Sequence, residues 1–210
     1  MLLLTFVGLY WHSDDRARFV GYLVVAILAS ACKIRLPGMT STMSISFVVL
    51  LAAIVQLTLP ETVIIAAVEA VVQCMWRPKR RPQSMQVFFN VAALGLSSAL
   101  ACFGCRLLQS TLFADSLAVN LLVATAICYL ANTIAVSTAL CLVERKPASA
   151  IFAPCYFRSF PYYLVGASAA GLMVATSRAA SWQPSLLTLP MMALVFISYR
   201  LHVTRAVAPR

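Results

Sequence analysis

Glu69 is the residue at which chemistry would first be sought, because it stands in an otherwise apolar run from Thr62 to Met75. A carboxylate in such a run is expensive, so it is expected to be protonated, paired or turned toward a polar cavity. Gln73 follows one helical turn later and shares its face. Together they could make a ligand or proton site. The plainer reading is an interhelical hydrogen-bond clasp, the kind of contact that holds membrane helices together. The clasp is favoured, since no second intramembrane charge is available to complete a relay. Asn90, Asn120 and Asn132 are further amides within apolar segments, and Asn132 shares a helical face with Cys128 and Tyr129. Glu69, Gln73, Asn90 and Asn132 are the candidate ligand-binding residues, on the condition that they converge on one pocket. Taken singly, each amide is a helix–helix contact worth about 0.6 kcal/mol.

Enzymatic signatures are missing from the sequence. It carries no GxxxxGK[ST], HExxH or GxSxG run and no paired carboxylates in the membrane. The two histidines, His12 and His202, stand at opposite ends of the chain and do not suggest a metal site. Asp14 and Asp15 read as a solvated pair near a segment boundary. The seven cysteines are dispersed, and Cys102-Phe-Gly-Cys105 lies in an apolar helix without the βαβ surroundings of a redox motif. Small packing residues are the favoured reading of that pair. The expectation is therefore no catalytic residue, no metal, no cofactor and no enzyme.

The elements that would position these residues follow from composition. Of 210 residues, 62% are hydrophobic and only 10% charged, against about a quarter charged in a soluble domain. Apolar segments can be drawn at 19–34, 43–57, 61–76, 85–108, 116–143, 161–177 and 185–201, with a short first helix over 1–10. A spanning helix needs about 20 residues, so the segments at 43–57 and 61–76 are short, and Thr58-Leu59-Pro60 separates them. The expected fold is all-α: one integral membrane domain over 1–210, a polytopic helical bundle of about seven transmembrane helices, with six to eight as the range. Gly166, Ala167, Ser168, Ala169, Ala170 and Gly171 put small residues at the spacing that lets helix backbones approach closely.

Orientation comes from the run Arg77-Pro78-Lys79-Arg80-Arg81-Pro82, which places four positive charges between two apolar segments. Its prolines keep it from continuing as helix. The positive-inside bias puts this loop in the cytoplasm. Twelve basic residues then fall on the cytoplasmic side (Lys33, Arg35, the four of the loop, Arg145, Lys146, Arg158, Arg200, Arg205 and Arg210) and four opposite, namely Arg16, Arg18, Arg106 and Arg178. The C-terminus is cytoplasmic in this arrangement. Arg77, Lys79, Arg80 and Arg81 are the expected contacts for anionic lipid head groups or a docking partner. The net charge of +10 is thus assigned to the bilayer surface, and nucleic acid is rejected as a partner.

Three stretches resemble the N-terminal membrane region of bacterial cyclic-di-nucleotide signalling proteins. They are Ile34-Arg35-Leu36-Pro37-Gly38 with Ser44-Ile45-Ser46-Phe47; Gln73-Cys74-Met75-Trp76-Arg77 through Phe89-Asn90-Val91-Ala92; and Ser159-Phe160-Pro161-Tyr162-Tyr163-Leu164-Val165-Gly166, with Tyr199-Arg200-Leu201 closing the last expected helix. In those proteins a comparable helical region precedes an HD-type phosphodiesterase or a diguanylate cyclase domain. Here neither a GGDEF signature nor HD metal ligands follow, so the resemblance implies the membrane input module alone. It implies a multi-pass protein of the bacterial inner membrane. The expected function is a sensory or regulatory module that biases a cytoplasmic signalling protein without catalysis of its own. Two alternatives stand beside it: the substrate-binding membrane subunit of a small-molecule transporter, and a structural accessory subunit of a larger membrane complex.

Overall fold

A computed structural model of the chain describes residues 15–31, 33–35, 42–76, 83–108, 116–144 and 148–179. Six helices and one two-stranded ladder lie within them: α1 (Arg16–Ala31), β1 (Lys33–Arg35), β2 (Thr42–Ser44), α2 (Ser46–Gln56), α3 (Leu59–Met75), α4 (Ser84–Leu108), α5 (Leu117–Glu144) and α6 (Ala148–Ala179). The fold is helical as expected. The segments expected over 1–10 and 185–201, and the basic residues Arg77, Lys79, Arg80 and Arg81, lie outside the described residues.

Three stretches differ from the expectation at their boundaries. The segment at 19–34 ends as helix at Ala31, and the one at 43–57 begins as helix only at Ser46. Between them Lys33 to Arg35 pair antiparallel with Thr42 to Ser44, Ile34 opposite Met43. β-Branched Ile34 and Thr42 suit a strand. The break at Thr58-Leu59-Pro60 shrinks to Leu57 and Thr58, because α3 starts at Leu59. Pro60 occupies the first turn, where its missing N–H has no intrahelical partner to lose. Finally, the segment expected to open at Pro161 is the second half of a 32-residue helix starting at Ala148. Pro154 and Pro161 lie inside it, two turns apart, so the proline that reads as a helix start is an interior residue. Arg158, expected in a loop, is helical.

Two of the described helices are long and apolar enough to cross a membrane, rather than the seven expected. They are Ser84–Leu108, with a mean hydropathy of 1.8, and Leu117–Val143, with 1.9. The most apolar window of the first is 33% buried and that of the second only 17%. Their outward faces carry Phe88, Leu96, Leu100, Phe103 and Leu107 on α4, and Leu122, Leu130, Ile134 and Leu142 on α5. The core helix of a soluble protein would hide such a stripe.

The core is built around α2, whose buried residues are Ser46 and the run from Val48 to Ile54. Tyr22, Ala26 and Ala29 of α1, Ile65 and Ala66 of α3, Ala101 and Cys102 of α4, Ala124 and Cys128 of α5, and Ala170, Met173 and Val174 of α6 complete one cluster with it. The small residues of α6 serve close packing, as expected. A Cβ built on Gly166 would stand 2.9 Å from Cδ1 of Phe47, a ring that also packs edge-on against Tyr163 at 4.5 Å. On α4, a Cβ at Gly104 would clash with the terminal methyl of Ile127 alone, its other neighbours standing at ordinary contact distance. Gly166→Ala should therefore cost about 1–3 kcal/mol, because a clamped ring must shift. Gly104→Ala should cost clearly less, because a methyl can rotate away. Thermal unfolding of the two purified variants checks the order, and equal losses would contradict this account of α2–α6 packing.

Candidate functional site

The four candidate residues make three separate contacts. Gln73 on α3 donates from Nε2 to Oγ of Ser46 at the start of α2, 2.9 Å away. Glu69, one turn earlier, is 1% exposed. Its carboxyl also meets the Ser46 hydroxyl, and its Oε1 is buried without a hydrogen-bond partner. Asn90 on α4 donates to Sγ of Cys74 on α3 at 3.1 Å. Asn132 on α5 donates to the Tyr163 hydroxyl on α6 at 3.1 Å, inside an aromatic group in which Tyr129 and Tyr163 meet edge to face at 5.0 Å. Glu69 and Gln73 thus share Ser46, whereas Asn90 and Asn132 each tie a different pair of helices. All three contacts join neighbouring helices, which is the clasp geometry.

The cysteines contribute packing. Cys102, Cys105 and Cys128 are free and buried, and Cys105 and Cys128 point their thiols at the carbonyls of Asn120 and Ser97. Among the described residues no group of three or more His, Cys, Asp and Glu is placed to hold a metal ion.

A different polar site lies at the other end of α2. Gln56, its last residue, presents Oε1 to three donors from two helices: the Arg18 guanidinium, the Tyr22 hydroxyl at 2.9 Å and the Ser177 hydroxyl at 3.3 Å. Arginine can only donate, so the atom at the centre must be the amide oxygen, and the amide nitrogen faces away. That Nε2 is buried without a partner, as is Nε of Arg18. Buried N–H groups left unserved are costly, and each calls for an acceptor.

The walls of this site come from local sequence rules. Asp15 caps α1, its Oδ1 accepting the Arg18 amide at 3.1 Å. Thr58 and Glu61 stand in the spacing of a capping box at the start of α3. Oε2 of Glu61 accepts from the Thr58 amide and hydroxyl, each at 2.9 Å. Thr62 fastens the turn by donating to the carbonyls of Thr58 and Ala53. Asp15, Arg18, Gln56, Leu57, Thr58 and Glu61 line a small, partly open pocket of about 60 Å³.

This cavity was missed because its members look ordinary one at a time. Arg18 falls just ahead of the first apolar segment, Gln56 at the end of the second, and Thr58 and Glu61 at a helix start. The signal available was the Thr-x-x-Glu pattern directly after a glutamine that ends an apolar run.

Comparison with known protein families, curated proteins and solved structures gave no match, so the functional reading rests on this chain's own residues.

Gln56→Leu should destabilise the protein by about 1–3 kcal/mol, since it removes the acceptor shared by α1 and α6. Asn132→Leu and Tyr163→Phe should each cost less, with a coupling near 0.6 kcal/mol in a double-mutant cycle. Thermal or denaturant unfolding reads both, and a neutral Gln56→Leu would contradict the organising role given to this amide.

Proposed function

We propose that this chain is a multi-pass integral membrane protein serving as a non-catalytic sensory or regulatory module, with its signal pocket on the extracytoplasmic side. The observation that carries the reading is the cavity around Arg18, Gln56 and Glu61. It lies where α3 begins, and the basic run 77–82 follows where α3 ends. With that run in the cytoplasm, the cavity faces the opposite side. Ligand entry and cytoplasmic readout are then at opposite ends of one bundle, joined by helices that all pack on α2.

The lipid-facing reading of α4 and α5 is supported by their apolar, weakly buried surfaces. For the shorter helices, about seven spans in total would require neighbours to cover backbone that ends within the bilayer. The eleven residues of α2 extend about 16 Å, against roughly 30 Å of hydrocarbon. Its buried position inside the bundle supplies that cover. Arg77, Lys79, Arg80 and Arg81 would contact anionic lipid or a cytoplasmic signalling protein.

A small-molecule transport subunit is the second reading, and the unserved Oε1 of buried Glu69 favours it, because such carboxyls often mark substrate or ion paths. A metabolite retained through purification and lost in Glu69→Gln would support that alternative. Unchanged ligand content and stability in Glu69→Gln would remove it.

Topology checks the first reading. A phosphatase that works only outside the cytoplasm should be active when fused after Thr58 and inactive when fused after Lys79. Co-purification of a second-messenger enzyme from native membranes, or a changed nucleotide level on deletion, should accompany it. The reverse fusion pattern, or deletion with neither effect, overturns it.

A further inference from the structure

We infer that the β1–β2 ladder and the outward face of α1 form one seat for an anionic phospholipid, its phosphate on Lys33 and Arg35 and an acyl chain along Val20, Val24, Ile27 and Leu28. This deepens the membrane reading above and rests on it.

Register puts the cations together. Residues paired across a ladder stand on the same face, and alternate residues of a strand return to it. Lys33 pairs with Ser44, Ile34 with Met43 and Arg35 with Thr42. One face therefore carries Lys33, Arg35, Thr42 and Ser44, and the other Ile34 and Met43. Every residue of the polar face has a side-chain donor for a phosphate oxygen, and arginine can give two. Two positions apart on an extended strand is about 7 Å, a separation that two long side chains can close on one phosphate.

The surrounding sequence leaves this face positive. No Asp or Glu occurs from 32 to 45. Among the six acids of the chain, Asp14 and Asp15 precede α1, Glu61 lies in the first turn of α3, and Asp115 precedes α5. Glu69 is buried, and Glu144 is followed directly by Arg145 and Lys146.

The face of α1 identifies the source of the phosphate. Val20, Val24, Ile27 and Leu28 recur at helical spacing, and all are exposed. Leu28 is 64% exposed and stands five residues ahead of Lys33. The cations thus begin where an outward apolar stripe ends, which is the order a bilayer presents from acyl chain to head group. From Val20 to Leu28 the stripe runs about 12 Å along α1, against roughly 15 Å for the hydrocarbon of one leaflet. A free phosphate would make no use of that stripe.

The ladder joins the end of α1 to the start of α2, and Gln73 near the end of α3 bonds Ser46 beside it. It therefore stands at the end of the bundle opposite the pocket around Gln56. With the basic run 77–82 in the cytoplasm, the lipid belongs to the cytoplasmic leaflet, whose surface is the anionic one. A lipid spanning α1 and the ladder would hold that connection in one geometry. It would favour the arrangement in which Arg18 and Tyr22 of α1 reach Gln56, since a ligand shifts an equilibrium by such differential contact.

The test uses the full chain in neutral detergent, with phosphatidylglycerol, phosphatidylcholine and glycerol 3-phosphate as probes, read by native mass spectrometry and thermal shift. Phosphatidylglycerol is expected to remain as a discrete adduct and to raise the melting temperature, less so at high salt. Phosphatidylcholine has no net charge and glycerol 3-phosphate has no acyl chain. Each is expected to bind at least about tenfold more weakly. Lys33→Gln combined with Arg35→Gln should weaken phosphatidylglycerol about 25-fold, since each cation near an anionic surface contributes about a factor of five. Replacing Arg77, Lys79, Arg80 and Arg81 by Gln should leave the adduct in place. Leu28→Gln should weaken phosphatidylglycerol without changing glycerol 3-phosphate. It lies on an exposed face, so the test stays decisive if the double substitution prevents folding.

An adduct that survives the double substitution, or that is lost with the basic run instead, overturns the inference. So does phosphatidylcholine or glycerol 3-phosphate binding as tightly as phosphatidylglycerol, the first removing charge selection and the second the acyl chain. None of these results touches the topology, which the fusions after Thr58 and Lys79 read separately. A failed lipid seat and a failed topology therefore give different outcomes.

Discussion

Every described helix other than α2 packs against α2, and the burial of that short segment is the constraint on which the rest of the bundle depends. It has eleven residues, eight of them buried. A helix so enclosed can carry polar atoms only where partners reach them. Its sequence complies: Ser46 opens it, Gln56 closes it, and the run between is apolar. The apolar middle makes the core, and the two polar ends fix how the other helices are placed along it.

Those ends differ in kind. At the Ser46 end, Gln73 supplies a hydrogen bond and Glu69 a carboxyl, both from α3. That contact binds two helices adjacent in sequence and stays enclosed. At the Gln56 end, one oxygen gathers donors from α1 and α6, which are far apart in the chain. A turn and a capping box complete the wall and leave space. Charges of both signs around a small cavity give recognition something to act on, whereas an enclosed clasp offers little. The candidate site therefore lies where the chain brings distant elements together, and the residue that looks most unusual alone lies elsewhere.

Much of the helical layout was legible. Helices α4 and α5 stand close to their expected limits, because long apolar runs without breakers have few other solutions. The small residues around Gly166 announced a close approach and make one with Phe47. The errors fell on residues whose local meaning is ambiguous. Pro161 ordinarily marks a helix start, but it is carried inside α6. Ile34 and Met43 read as the ends of apolar helices and instead face each other across a ladder. For Ile34 and Met43, strand pairing outweighed the local preference.

Composition and charge by themselves determined that the chain is helical, that long apolar runs stand near 85–108 and 116–143, and that Glu69 needs a partner. These follow from residue type and spacing, since hydrophobicity and its period are properties of the chain alone. Only the tertiary structure decided which partners are found. It gave Glu69 and Gln73 a common serine, sent Asn90 and Asn132 to separate helix pairs, and set Arg18 beside Gln56 and Glu61. Hydrogen-bond convergence depends on distances between segments remote in sequence, and no local pattern encodes those distances.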